Sequence, residues 1–247
     1  MPNSNEVRGA LPRRGFKGSA LGVVALALSF GAIGSVDAAD GAYATMAPLE
    51  QYRLASQADE IALARSAAPA SISGQAEVLT LGEHGYETAV KGRNGFVCVV
   101  QRSWASDFDD AEFWNPKERS PICFNPASAR SVLPAYLKRT EWVLAGASKA
   151  DMLARTKAAI AAGQITAPEV GAMGYMMSKD GYLSDSAGGH WHPHLMFFLP
   201  RMATAEWGAN VAGGAVMGDG AGAEPVTVFF VPLPKWSDGT QPAPMAM

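Results

Sequence analysis

Three of the four histidines of this 247-residue chain lie within five positions, in Gly188-Gly189-His190-Trp191-His192-Pro193-His194. In an extended backbone, residues two apart share a face, with Cα atoms about 6 to 7 Å apart. Two imidazoles at that spacing can lean onto one transition-metal ion such as zinc while a third ligand comes from elsewhere. His84, beside Glu83, is the fourth histidine and the candidate third ligand, with Asp180 and Asp185 as oxygen alternatives. The segment therefore admits a metal-binding protein or metal-dependent enzyme with His190, His192, His194 and His84 as ligands. It equally admits a plain structural arrangement, with His194 hydrogen-bonded under the apolar run 195–198 and with His190 and His192 on a loop beside Trp191. Pro193 removes a ladder donor and suits a sheet edge or a turn. Histidine titrates near neutral pH, so a general-base role is open as well. No nucleophile is plainly partnered: Ser178, Ser184 and Ser186 sit in neither a Gly-x-Ser-x-Gly nor a Ser-x-x-Lys pattern, and Ser184-Asp185-Ser186 reads as a turn.

The two cysteines, Cys98 and Cys123, are too few for a four-cysteine zinc module. Their setting follows from the N-terminus. Arg8, Arg13, Arg14 and Lys17 form a basic head, the stretch 19–36 has no charged residue, and Val36-Asp37-Ala38 supplies a processing site. Residues 1–38 thus read as a cleaved export signal, with cleavage near Ala38. Gly22, Ser29, Gly31, Gly34 and Ser35 dilute the apolar stretch, so no stable membrane anchor is expected after cleavage. Arg13-Arg14-Gly15-Phe16-Lys17 also resembles a twin-arginine export motif. A periplasmic or secreted chain matures where thiols oxidise, so Cys98 and Cys123 are expected to form a disulfide. With 20 basic and 23 acidic residues and a formal net charge of -3, nothing advertises a nucleic-acid partner. A small molecule or another protein remains open as the partner.

Two further segments could bind something. Gly218-Asp219-Gly220-Ala221-Gly222 imitates a phosphate cradle, but Glu224-Pro225 leads from it into a strand rather than a helix N-terminus, so it is read as a surface loop. Trp104, Phe108, Phe113 and Trp114 interleave with Asp107, Asp109, Asp110 and Glu112. That aromatic-acidic stretch, 104–118, is the candidate surface of a non-catalytic cell-envelope interaction module.

The elements that must position these residues follow from periodicity. Helical spacing appears over 48–65, 134–144 and 148–163, the last opened by the box-like Ser148-Lys149-Ala150-Asp151. Strands are predicted over 77–81, 86–91 and 96–102, joined as a meander by glycine-bearing turns, and over 173–177, 195–199 and 226–231. The stretch 104–126 fits neither period and reads as an ordered excursion held by the disulfide. These give one α+β domain over 39–240, with a small antiparallel sheet built from an N-terminal meander plus C-terminal strands and packed with roughly three helices, followed by a mobile tail over 241–247.

Asn94-Gly95-Phe96-x-Cys98, Pro121-x-Cys123, Tyr175-Met176-x-Ser178 and Pro193-His194-x-Met196-Phe197-Phe198-x-Pro200 resemble an uncharacterised family of exported bacterial proteins. The similarity runs over about residues 75–232. It implies one soluble exported domain of unassigned biochemical role in which the cysteine pair and Pro193-His194 belong to the shared pattern, and it marks His194 as the position to watch.

Overall fold

The computed structural model describes residues 42–243. The expected signal segment, 1–38, and the end of the expected tail, 244–247, lie outside the described residues. The strands are β1 (Glu77–Leu81), β2 (Tyr86–Val90), β3 (Val97–Gln101), β4 (Ser120–Phe124), β5 (Met173–Met176), β6 (His194–Pro200), β7 (Met217–Asp219) and β8 (Val226–Pro232). They form one sheet in the order β2-β1-β3-β4-β5-β6-β8-β7. The helices are α1 (Gln57–Arg65), α2 (Ala70–Ser73), α3 (Pro126–Ser131), α4 (Leu133–Leu144) and α5 (Lys149–Ala161). The architecture is α+β, but the expected small antiparallel sheet with roughly three helices is corrected: the sheet is large and mixed, and the described residues form five short α-helices.

Three local causes explain the difference. The meander is broken because β3 pairs with β1 in parallel instead of returning beside β2. Gly92 makes that crossing possible, since it passes the start of β1 so closely that a Cβ there would lie 2.2 Å from the Glu77 amide nitrogen. Arg93 donates its amide to the Gln75 carbonyl at 2.8 Å and keeps the crossing in place. Second, the excursion after Trp104 ends in a central strand, β4, despite Pro121. Proline is tolerated there because β5 pairs with β4 only at Cys123 and Phe124, so on that side Pro121 has no ladder bond to donate. Third, Gly218 and Asp219 of the expected glycine loop join Met217 in edge strand β7, paired with β8 through Gly218 opposite Phe229.

The helix expected over 48–65 divides into a 3-10 turn, Leu49–Tyr52, and α1. Ser56 caps α1 by accepting the Asp59 amide hydrogen at 3.1 Å. The Ser148–Asp151 capping box of α5 forms as its residues suggested. Helices α3 and α4 cover one face of the sheet through Val132, Leu133, Tyr136 and Leu137, packed against Val99, Ile122, Phe124 and Phe198. The other face carries Val78, Cys98, Val100 and Cys123 under the alanines of the α1–α2 region. Small side chains let that region approach the disulfide closely. No helix of the described residues is long and apolar enough to cross a membrane.

Where the two faces meet the N-terminal segment, Arg102 is fully buried and donates to the carbonyls of Tyr52 and Val100 and to the Glu60 carboxylate, the last at 2.8 Å. Glu60 in turn accepts the Leu81 amide at 3.1 Å. One ion pair thus fastens α1, the end of β1, the end of β3 and the 3-10 turn.

Cys98 and Cys123 are bonded, at directly opposed positions of β3 and β4, with their Cα atoms 4.0 Å apart. The bond closes a loop with a sequence separation of 25 and crosses the base of the excursion between the strands. Replacing both cysteines by alanine is expected to lower the unfolding free energy by about 3 kcal/mol, from the loop-entropy relation. Urea unfolding of the double variant beside the oxidised parent measures this, and equal midpoints would show the bond to be structurally idle.

Candidate functional site

The ends of five strands open into a cleft of about 540 Å³. Gln101 closes β3 opposite Ser120, which opens β4; Met176 closes β5 opposite His194, which opens β6; and Pro232 of β8 faces His194 from the other side. All five line the cleft on the sheet face that α4 covers. Above this row stand the two long connections that leave the same end of the sheet. The β3–β4 connection supplies Asp107, Asp110 and Glu118, and the β5–β6 connection supplies Trp191 and His192. Tyr136 of α4 and Asp219 of β7 complete the walls.

The first connection is held rigidly. Trp104 is buried against Tyr52 at 4.9 Å between ring centroids, and its indole N–H donates to Thr140 Oγ1 at 2.9 Å. Phe113 and Trp114 pack edge to face at 4.8 Å inside the same cluster. These aromatics are core anchors, which corrects their reading as an exposed interaction surface. Arg139 of α4 is 2% exposed and donates to the carbonyls of Trp104, Ala105 and Ser106, while its other nitrogens make a paired contact with the Glu224 carboxylate at 2.8 Å each. The second connection is tied to the first by Glu112, whose carboxylate accepts the amides of Asp185 and Ser186. Asp185 also bonds Lys117 and the hydroxyls of Tyr43 and Tyr182, which hold its carboxyl well below the usual range.

Glu118 is the most unusual group in the cleft. It is 5% exposed, accepts one hydrogen bond from the Ser120 hydroxyl at 2.8 Å, and has no lysine or arginine at salt-bridge distance among the described residues. Burial, with Asp110 and Glu112 adding like charge, pushes its carboxyl up to about 8, so it is a neutral acid at pH 7. Asp107 is raised as well, by burial and then by Asp219. Burial pushes the Tyr136 phenol up to about 12. Gln101, 8% exposed, sets its side-chain amide against the Tyr136 hydroxyl, which works against the burial that raises that phenol.

His194 stands between Trp191 and Phe230, edge to face with ring centroids 6.3 and 5.7 Å away. Its Nδ1 lies 2.7 Å from the His192 carbonyl oxygen. A carbonyl only accepts, so the proton is on Nδ1 and Nε2 carries a free lone pair. Burial lowers the His194 pKa, against the His192 carbonyl, and the ring is neutral at pH 7. His192 joins it in the cleft, whereas His190 is exposed and does not line it. His84 is exposed on the β1–β2 turn, and β1 is four strand positions from β6, on the order of 19 Å at the usual strand spacing. Among the described residues, no three His, Cys, Asp or Glu side chains are grouped so as to hold a metal ion. The histidine tract therefore contributes two cleft residues, without a converging third ligand among the described residues.

Sequence reasoning missed Gln101, Glu118, Tyr136 and Asp219 as members of one site. Glu118 did carry a signal: it closes the acidic-aromatic stretch directly before a cysteine strand, where an acid is drawn into the interior. No family model, curated protein or solved structure matches the chain.

The raised carboxyl has a thermodynamic consequence of definite sign. The folded state keeps a proton on Glu118 that the unfolded chain releases near pH 4.3, so this contribution to stability is full below that pH, falls as pH rises to about 8 and then levels off. Glu118→Gln supplies a neutral isostere. It is expected to match the parent within about 1 kcal/mol at pH 5 and to exceed it by up to about 5 kcal/mol at pH 9. Denaturant unfolding at both pH values reads the difference, and a constant offset between the two proteins would refute the assignment.

Proposed function

We propose that this chain is an exported, periplasmic or secreted domain that acts on a small molecule in the strand-end cleft, with Glu118 as proton donor and the Nε2 of His194 as proton acceptor. The observation that carries the reading is a buried carboxyl whose only hydrogen-bond partner among the described residues is a hydroxyl, placed in the same cleft as a neutral imidazole whose second nitrogen is already oriented. Acid and base groups with environments that push them away from ordinary behaviour are the arrangement general acid-base chemistry needs. The proton leaving Glu118 goes to the group that gains electron density on the bound molecule, the one taken by His194 comes from the attacking or carbon acid group, and solvent restores both.

Export is supported by the Cys98–Cys123 bond, since disulfides persist in oxidising compartments, and by the charge pattern of the first 38 residues. Of the residues that carry the resemblance to exported bacterial proteins, Met176 and His194 line the cleft, while Cys98, Cys123 and Tyr175 belong to the opposite face of the same strands. A metal-dependent chemistry through His192 and His194 would need a third donor from outside the described residues.

A small diazoacetamide tests the proton donor without knowledge of the substrate. It esterifies protonated carboxyls: the acid proton moves to the diazo carbon, nitrogen gas leaves and the carboxyl oxygen bonds that carbon. At pH 7 mass spectrometry should place the ester on Glu118 at least about tenfold above other acidic residues, with labelling lost by pH 9.5. Labelling spread over surface carboxyls, with none on Glu118, would overturn the reading.

A further inference from the structure

Glu118 is not the only neutral O–H donor in the cleft. Tyr136 of α4 lines it too, with its ring 5.9 Å from that of Phe124 between centroids, and burial keeps the phenol protonated well above pH 7. The Gln101 amide lies against the Tyr136 hydroxyl and favours its ionised form, so it presents an N–H to that oxygen. Among the described residues, the tyrosine hydroxyls that donate to a protein oxygen are those of Tyr43, Tyr52, Tyr86 and Tyr182. The Tyr136 O–H is left to give to a bound molecule.

Strand register brings the two donors together. Gln101 and Ser120 are directly opposed on β3 and β4, so their side chains leave one face of the sheet with Cβ atoms about 4.5–5.5 Å apart. Gln101 lies against the Tyr136 oxygen, and Ser120 bonds the Glu118 carboxyl at 2.8 Å. One cross-strand pair thus holds both donors beside the same space. The base stands across from them: His194 opens β6, two strands from β4, on the order of 10 Å between backbones, with Met176 of β5 lining the cleft between. Side chains reaching in from both sides leave room for a carbonyl group and the carbon next to it.

Two neutral donors on one side of a base suit an acceptor oxygen that gains electron density as a neighbouring proton leaves. No lysine or arginine lines the cleft, so a neutral compound is favoured over a carboxylate. Tyr136 also lines an adjoining cavity of about 100 Å³ whose walls include Val132, Ala135, Ile165, Val226 and Val228. A carbonyl held at Tyr136 therefore has an apolar recess beside it for one short substituent.

We propose that Tyr136 is a further catalytic residue: its hydroxyl and the Glu118 carboxyl hold the carbonyl oxygen of a neutral ketone while His194 takes a proton from the adjacent carbon. This assignment, which rests on Glu118 and His194 being the acid and base of the cleft, makes the reaction an enolisation. The His194 Nε2 lone pair takes the proton, the C–H electron pair becomes a carbon–carbon double bond, and the carbonyl π pair moves to oxygen, which receives the Glu118 proton. The enol then stands between a Glu118 carboxylate and a His194 imidazolium. Return of a proton from His194 to carbon and of the O–H proton to Glu118 restores a ketone, with no oxidant or reductant consumed. Tyr136 donates throughout and keeps its proton.

Incubation of the full chain with methyl butyl ketone and with acetone in neutral heavy water, followed by proton NMR, reads deuterium exchange next to the carbonyl. Exchange is expected to run about a hundredfold faster than with free imidazole at the same concentration. The longer ketone should be at least tenfold better in kcat/KM, and equal values would remove the recess from the site. Tyr136→Phe, which keeps the ring against Phe124, is expected to lower kcat about a hundredfold with KM changed less than about twofold. An unchanged kcat would overturn the role of Tyr136. If that variant melts early, the parent decides alone: the carbonyl carbon of bound carbon-13-labelled ketone should move downfield by several ppm, and an unshifted signal overturns the donor pair. Diazoacetamide labelling of Glu118 without exchange of either ketone overturns the enolisation while leaving an acid in a small-molecule cleft. Failure of both overturns the two together.

Discussion

The Arg139 guanidinium, buried on α4, is the interaction on which the working end of this molecule depends. Three of its contacts are to successive carbonyls of the chain leaving β3, and the remaining ones are to Glu224, just before β8. It also lies 4.2 Å above the Phe108 ring. These segments are distant in sequence and have no ladder bonds to each other. A helix that packs on the sheet through its apolar side thus uses one polar side chain to set the distance between two walls. A guanidinium suits the task because its planar fork satisfies a carboxylate and several carbonyls at once. Removing one partner of such a buried pair typically costs about 3–5 kcal/mol.

The same engagement decides the electrostatics of the cleft. Arg102 is occupied by Glu60 and two carbonyls, Arg139 by Glu224, and Lys117 by Asp185 on the outer surface. The cations near the cleft are therefore bonded elsewhere, and the pull of Arg102 on Glu118 does not offset the burial that raises this carboxyl. A buried carboxyl in that position takes up a proton, because neutralisation costs less than keeping an unpaired charge out of water. The neutral state of His194 has a related origin: its ring is enclosed by Trp191 and Phe230, and that burial outweighs the His192 carbonyl, which by itself would favour a second proton.

Much of the secondary structure was legible because it is local. The Ser148–Asp151 box, the apolar run of β8 and the cysteine pair needed only neighbouring residues or a compartment to be read. The sheet's size and order were not legible, because they depend on close approaches that no periodicity encodes. Gly92 beside Glu77 turns a meander into a parallel pair, and Pro121 survives in a central strand because one side of that strand is unpaired there. The candidate site was half legible. His192 and His194 stood out by type and spacing, while Gln101, Glu118, Tyr136 and Asp219 come from four elements and look like ordinary surface or core residues until the sheet brings their ends together. The aromatic-acidic stretch drew notice for the wrong reason: its aromatics anchor the wall, and its last acid is the chemically unusual group.

The most direct measurement of the central claim is a carbon-13 NMR titration of the glutamate side-chain carboxyls in the full chain, with Glu118 assigned by its absence in Glu118→Gln. A midpoint near 8, far from the other glutamates, is the result this account predicts. A midpoint near the ordinary glutamate value of about 4.3 would mean that water or a cation reaches Glu118, and the proton-donating cleft described here would be contradicted.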